Sequence, residues 1–121
     1  MLPFADQYGI RVVLLNRRDY PKATPFDEQE KTELASSWTS GPEGADKIRK
    51  IAKDRAKEIY NFLESFVASN DISKEGGITV VGWSLGVMFM NMLLAYGPTF
   101  AVGKIDVTSY IKGVVCYGTH L

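Results

Sequence analysis

The 121-residue sequence predicts an α/β chain built on a parallel sheet. Three short runs of aliphatic and β-branched residues, at 10–16, 78–82 and 111–117, read as buried strands. The stretches between them carry helical spacing, and each is long enough for a crossover connection. Strands that alternate with helices in this way pair in parallel with right-handed crossovers.

The first run, RVVLL, follows Tyr8-Gly9, where Gly9 can end a preceding turn of helix. The polar segment NRRDYPKATP comes next, and Thr24, Pro25 and Asp27 form a helix-start signature that predicts a helix over 25–37. Ser40-Gly41-Pro42 breaks the chain. Over 45–67, Ile48, Ala52, Ile59, Leu63 and Phe66 recur at the spacing of one helix face, and lysines and carboxylates fill the other. The polar loop 70–77 leads into the second strand. Residues 87–96 then form an almost wholly apolar helix, which Gly97-Pro98 is expected to stop. IKGVVCY, 111–117, is the third strand. No repeat, low-complexity tract or linker divides the chain, so a single domain over 1–121 is expected.

Fourteen basic and fourteen acidic residues balance, so no net field draws the chain to nucleic acid or to an anionic membrane. The longest apolar stretch, 85–96, is shorter than the roughly 20 residues that span a bilayer. No secretory leader pattern opens the sequence, and the lone Cys116 has no internal disulfide partner; a cytoplasmic location is the default expectation. Cys116, inside a strand pattern, is expected to be a small buried apolar residue. Met88, Phe89, Met90 and Met92 are expected to pack in the core, with room for one methionine to face a ligand. Arg17 and Arg18 read as loop ion-pair residues, and Trp83 as a packing residue. No metal-ligand spacing and no dinucleotide-type glycine motif is present, so no cofactor is indicated.

In such sheets function gathers at the carboxyl ends of the strands. Ser84 stands there, in ITVVGWSLGVMFM, between Gly82 and Gly86. A strand that turns into a helix within about one residue holds the serine in a strained backbone conformation and crowds the positions two before and two after it. Gly82 and Gly86 are expected to relieve that crowding. The turn also places Ser84 at a helix amino terminus, where the Leu85 N–H can donate to a developing oxyanion. As a bare pattern G-x-S-x-G arises by chance in roughly one chain in 25 of this length. The strand before it and the helix after it supply the context the motif requires.

On these residues the sequence resembles the α/β-hydrolase superfamily. VVGWSLG is similar to its nucleophile elbow, and IKGVVCYG to the strand after the elbow helix. GIRVVLLNRRDYPKATPF is similar to the strand and loop that often read D-x-R-G-x-G-x-S; Asn16 stands for the Asp, Arg18 matches the Arg, Asp19 and Pro21 replace glycines, and Thr24 stands for the Ser. The resemblance implies a three-layer parallel-sheet fold, here its central and incomplete part. It further implies an esterase-like serine hydrolase acting on a small ester or amide, with Ser84 as nucleophile and Leu85 as a backbone oxyanion donor. The superfamily's acid and histidine come after its sixth strand. His120, the one histidine of the sequence, is the candidate base by position, while Asp106 stands at the amino end of the third strand and Asp19 in a loop. Two other readings stay open. One is an inactive remnant or interaction module, with self-association through unpaired strand edges; the other is a small flavodoxin-like anion binder using the helix amino terminus at Ser84.

Overall fold

The computed structural model describes residues 2–101 and 105–118. They form two compact units, Met1–Ala35 and Ser36–Leu121. The chain is mixed helix and strand, and its two strands are parallel.

The first unit holds a single turn of helix, α1 (Leu2–Ala5), a 3-10 turn (Asp6–Tyr8), and helix α2 (Glu28–Ser36), whose last residue crosses the unit boundary. Residues 10–16, expected as the first strand, belong to neither strand nor helix. Ile10, Val13, Leu14 and Leu15 are exposed, Leu14 at 81%. An apolar run becomes a strand only when a neighbour takes its backbone N–H and C=O groups, and no sheet partner is present here among the described residues. Helix α2 begins later than the Thr24-Pro25 signal suggests. Asp27 is its cap: the Asp27 carboxylate accepts from the Glu30 N–H at 2.8 Å, and the Glu30 carboxylate accepts from the Asp27 N–H at 2.9 Å. This reciprocal pair is a capping box built with Asp. Arg18 donates from both terminal nitrogens to Glu30 and lies over the Phe26 ring, so it ties the loop to the helix start, as an ion-pair residue should.

The second unit contains helix α3 (Pro42–Asn70), strand β1 (Ile78–Trp83), helix α4 (Gly86–Phe100), a 3-10 turn (Val107–Tyr110) and strand β2 (Ile111–Tyr117). β1 and β2 are direct neighbours, with Val80 beside Val114, Val81 beside Val115 and Trp83 beside Tyr117. The core is one cluster: Ala52, Ala56, Ile59, Tyr60 and Leu63 of α3 meet Phe89, Met90 and Leu93 of α4, with Val80 below and Val107 at one end. α4 therefore lies between the sheet and α3. Ile48, expected on the buried face of α3, is partly exposed, because the core begins one turn later at Ala52.

Three further expectations are corrected. A three-layer arrangement would place helices on both faces of the sheet; in this unit the helices lie on one side, and Val81, Trp83, Val115 and Tyr117 on the opposite face are exposed. Cys116 is exposed rather than buried, because α4 packs on β1 and leaves the β2 edge largely open. Gly97-Pro98 does not stop α4, which runs on to Phe100. A proline in the last turn removes only one helical hydrogen bond near the end. Gly97 is buried against the 3-10 turn, where a Cβ would run into the Thr108 methyl group. Its place is explained by close approach, not by chain termination.

Tyr60 is the polar hinge of this core. Its hydroxyl donates to the Ile105 carbonyl at 2.8 Å and accepts from the Val107 N–H at 3.2 Å. Burial raises its ionisation above the ordinary tyrosine value, outweighing the opposing effect of the Val107 N–H. A group whose folded-state pKa is raised contributes stability that is fully present below the unfolded value, about 10, and is lost as pH rises through the folded value. Tyr60→Phe is accordingly expected to cost about 1–2 kcal/mol at neutral pH, by orphaning the Val107 N–H. It should also flatten the loss of stability above pH ~10. Urea unfolding at a series of pH values checks both; equal alkaline slopes in the two proteins would contradict the assignment.

Candidate functional site

Ser84 sits where β1 ends and α4 begins. Its N–H continues the sheet by donating to the Tyr117 carbonyl at 3.1 Å, and its own carbonyl accepts from the Val87 N–H at 3.0 Å as the helix starts. One residue thus belongs to both elements, which forces the sharp turn: Ser84 has φ +52°, in the left-handed region that non-glycine residues rarely occupy. The strain expected of a strand-to-helix elbow is present at the serine itself. The side chain is exposed, and its hydroxyl has no hydrogen-bond partner among the described residues.

Leu85 caps α4 in right-handed helical conformation, and its N–H has no partner among the described residues. A free N–H at the positive end of a helix is the kind of group that stabilises an oxyanion. The two flanking glycines differ. At Gly82 a Cβ would stand 2.9 Å from Met90 Cγ and 3.1 Å from the Gly86 carbonyl oxygen, so a side chain is excluded. At Gly86 a Cβ would meet nothing within 4 Å, so the steric role expected of it is not required here. Gly82→Val is expected to destabilise the unit by about 1–3 kcal/mol through overpacking, whereas Gly86→Ala should be neutral or stabilising by a few tenths of a kcal/mol. Thermal unfolding of the two variants, side by side, separates the roles; equal losses would show that the elbow crowds both positions after all.

Beside Ser84 lies an open depression of about 440 Å³, lined by Ser84, Leu85, Val87, Met88, Asn91, Met92 and Gly118. Positions 84, 87, 88, 91 and 92 follow helical spacing, so one face of α4 carries the lining. Met90 is buried in the core, while Met88 and Met92 sit at the boundary between core and depression. Asn91 and Val87 were not expected as lining residues, although their spacing from the serine was a usable signal. Trp83 does not pack in the core: it is 68% exposed and stacks on Tyr117 with ring centroids 6.4 Å apart.

His120 lies outside the described residues. Asp106 caps the 3-10 turn at the amino end of β2, its carboxylate accepting from the Thr108 N–H at 3.0 Å. Asp19 belongs to the other unit, where its carboxylate accepts from the Phe26 N–H at 3.3 Å. Among the described residues no titratable side chain lines the depression, and no cluster of His, Cys, Asp and Glu could hold a metal ion. No described helix is long and apolar enough to cross a membrane.

The fold and site together define a mixed helix and strand unit with a serine at a parallel-strand-to-helix elbow. No family model matches the chain, and no curated protein or solved structure matches it.

Proposed function

We propose that Ser84 is the nucleophile of an α/β-hydrolase-like serine hydrolase acting on an ester or amide carbonyl. The observation that carries this reading is the φ of +52° at a serine that closes a parallel strand and opens a helix. Strain at a functional side chain persists only where the surrounding structure enforces it, and here the Tyr117 and Val87 hydrogen bonds do so. In the proposed reaction the Ser84 hydroxyl oxygen attacks the carbonyl carbon while a base takes its proton. The oxyanion is held in part by the Leu85 N–H, and the leaving alcohol or amine departs with the proton, giving an acyl-enzyme that water then hydrolyses. The lining of the depression is uncharged, which suits an uncharged small ester.

A serine needs a base, since its hydroxyl is otherwise almost fully protonated at neutral pH. His120, the one histidine of the sequence and two positions after the lining residue Gly118, is the proposed base. A second reading, an elbow retained as architecture without catalysis, draws support from the uncharged lining. A fluorophosphonate probe separates the two. A covalent phosphonyl adduct mapped to Ser84, lost in Ser84→Ala and reduced at least tenfold in His120→Ala, supports the hydrolase. Absence of labelling in a chain shown to be folded by circular dichroism supports the inactive elbow.

A further inference from the structure

The outward face of the sheet is graded in size along the strands. Trp83 and Tyr117 stand at the carboxyl end, Val81 and Val115 in the middle, and Thr79 and Gly113 at the amino end, paired across β1 and β2 in that order. The one charged residue of the two strands, Lys112, stands at the register shift beside Gly113. Its exposure is high: Val81 56%, Trp83 68%, Val115 48% and Tyr117 51%. A Cβ added at Gly113 would stand 3.1 Å from the Thr79 hydroxyl oxygen, so a larger residue there would crowd Thr79; with glycine in place that end stays low.

From this gradient we infer that the face pairs with the same face of a second copy of the chain, the two sheets stacked with their strands running in opposite directions. A two-fold axis lying between the sheets and across the strands sets β1 over β1 and β2 over β2 with reversed direction. Trp83 then covers the partner copy's low end at Thr79, Tyr117 covers the hollow over Gly113, and Val81 and Val115 meet their own equivalents. Large meets small at both ends, so a tapered face closes into a layer of even thickness, as sheet-on-sheet packing at about 10 Å requires. A parallel stacking would instead set tall against tall and leave a gap at the other end.

The area is sufficient. The four exposed side chains present roughly 500 Å² of mostly apolar surface per copy, judged from the 150–250 Å² that a buried aromatic residue removes from water. Two copies therefore bury roughly 1,000 Å² before any rim is counted, which is the lower bound for a specific interface. Balanced charge, 14 basic and 14 acidic residues, sets no long-range repulsion between copies. This pairing is by faces and leaves the outer edges of β1 and β2 free, unlike association through strand edges. It is independent of any activity at Ser84.

Sedimentation velocity over a range of concentrations tests it. The expected result is a concentration-dependent species of twice the 13.4 kDa chain mass. Val81 sits on the axis and faces its own copy, so Val81→Glu should shift the dimer midpoint upward at least tenfold, and Val81→Lys likewise. An equimolar mixture of the two variants should regain the dimer, because glutamate then faces lysine. Val81 is exposed, so folding of each variant, checked by circular dichroism, is expected to be intact. A chain that stays monomeric into the high micromolar range would overturn the proposal. So would a dimer indifferent to Val81→Glu, the outcome expected of edge pairing, or a failure of the mixture to re-associate.

Discussion

Ser84→Gly is expected to raise the stability of the second unit by about 1 kcal/mol while abolishing fluorophosphonate labelling. The gain follows from the backbone: a serine at φ +52° suffers the clash between Cβ and the neighbouring carbonyl that glycine escapes, worth about 1–2 kcal/mol per residue in the left-handed region. Glycine's greater freedom in the unfolded chain offsets part of it. Ser84→Ala keeps the Cβ, so it should lose labelling without the gain. The two hydrogen bonds that fix the elbow run through the Ser84 backbone and survive both substitutions. Chemical denaturation of the three proteins, read alongside the labelling, checks the pair of effects. If Ser84→Gly were less stable than Ser84→Ala, the elbow would not be the strained turn described here.

Leu93→Ala is expected to be the most damaging single truncation, costing about 2–5 kcal/mol. Leu93 has no exposed surface and stands where α4 meets α3, with Tyr60 and Phe89 in the same cluster. Removing its side chain loses the transfer free energy and leaves a cavity that two long helices cannot easily close. Typical total stabilities are about 5–15 kcal/mol, so this loss is a large part of the whole. The neighbouring Leu94 is 45% exposed, and Leu94→Ala should cost under about 1 kcal/mol. Thermal unfolding of the two variants measures the difference directly; similar midpoints would contradict the packing order of sheet, α4 and α3.

Much of the second unit was legible from residue pattern alone. IKGVVCY forms a strand over the expected residues, and the strand before the serine is extended only by Trp83. Both runs are short, β-branched and bounded by turns, and each has the other as a partner. The run at 10–16 is of similar composition but has no sheet neighbour among the described residues, which is why it is not a strand. The helix starts were less secure: Thr24-Pro25 carries the right residue types, but the cap is Asp27, because the reciprocal bonds with Glu30 outcompete the earlier signal. Of the site, Ser84, Leu85 and Gly82 were readable, since a strand-turn-helix leaves few choices for the residue at the turn. Gly86 matched the motif, yet it has no steric duty in this structure.

The sequence by itself determined the local order: which residues alternate, which recur at helical spacing, and that a serine stands at the junction of strand and helix. Those are properties of neighbours along the chain, set by side-chain period and backbone sterics. Only the tertiary structure decided which faces are covered. Alternation assigns Cys116 to the helix side of β2 and Trp83 to the other, but burial depends on whether another element lies above, and α4 reaches β1 while leaving Cys116 open. The same holds for Gly97, whose reason is Thr108 across the fold, and for the depression beside Ser84, formed where one face of α4 meets the end of the sheet.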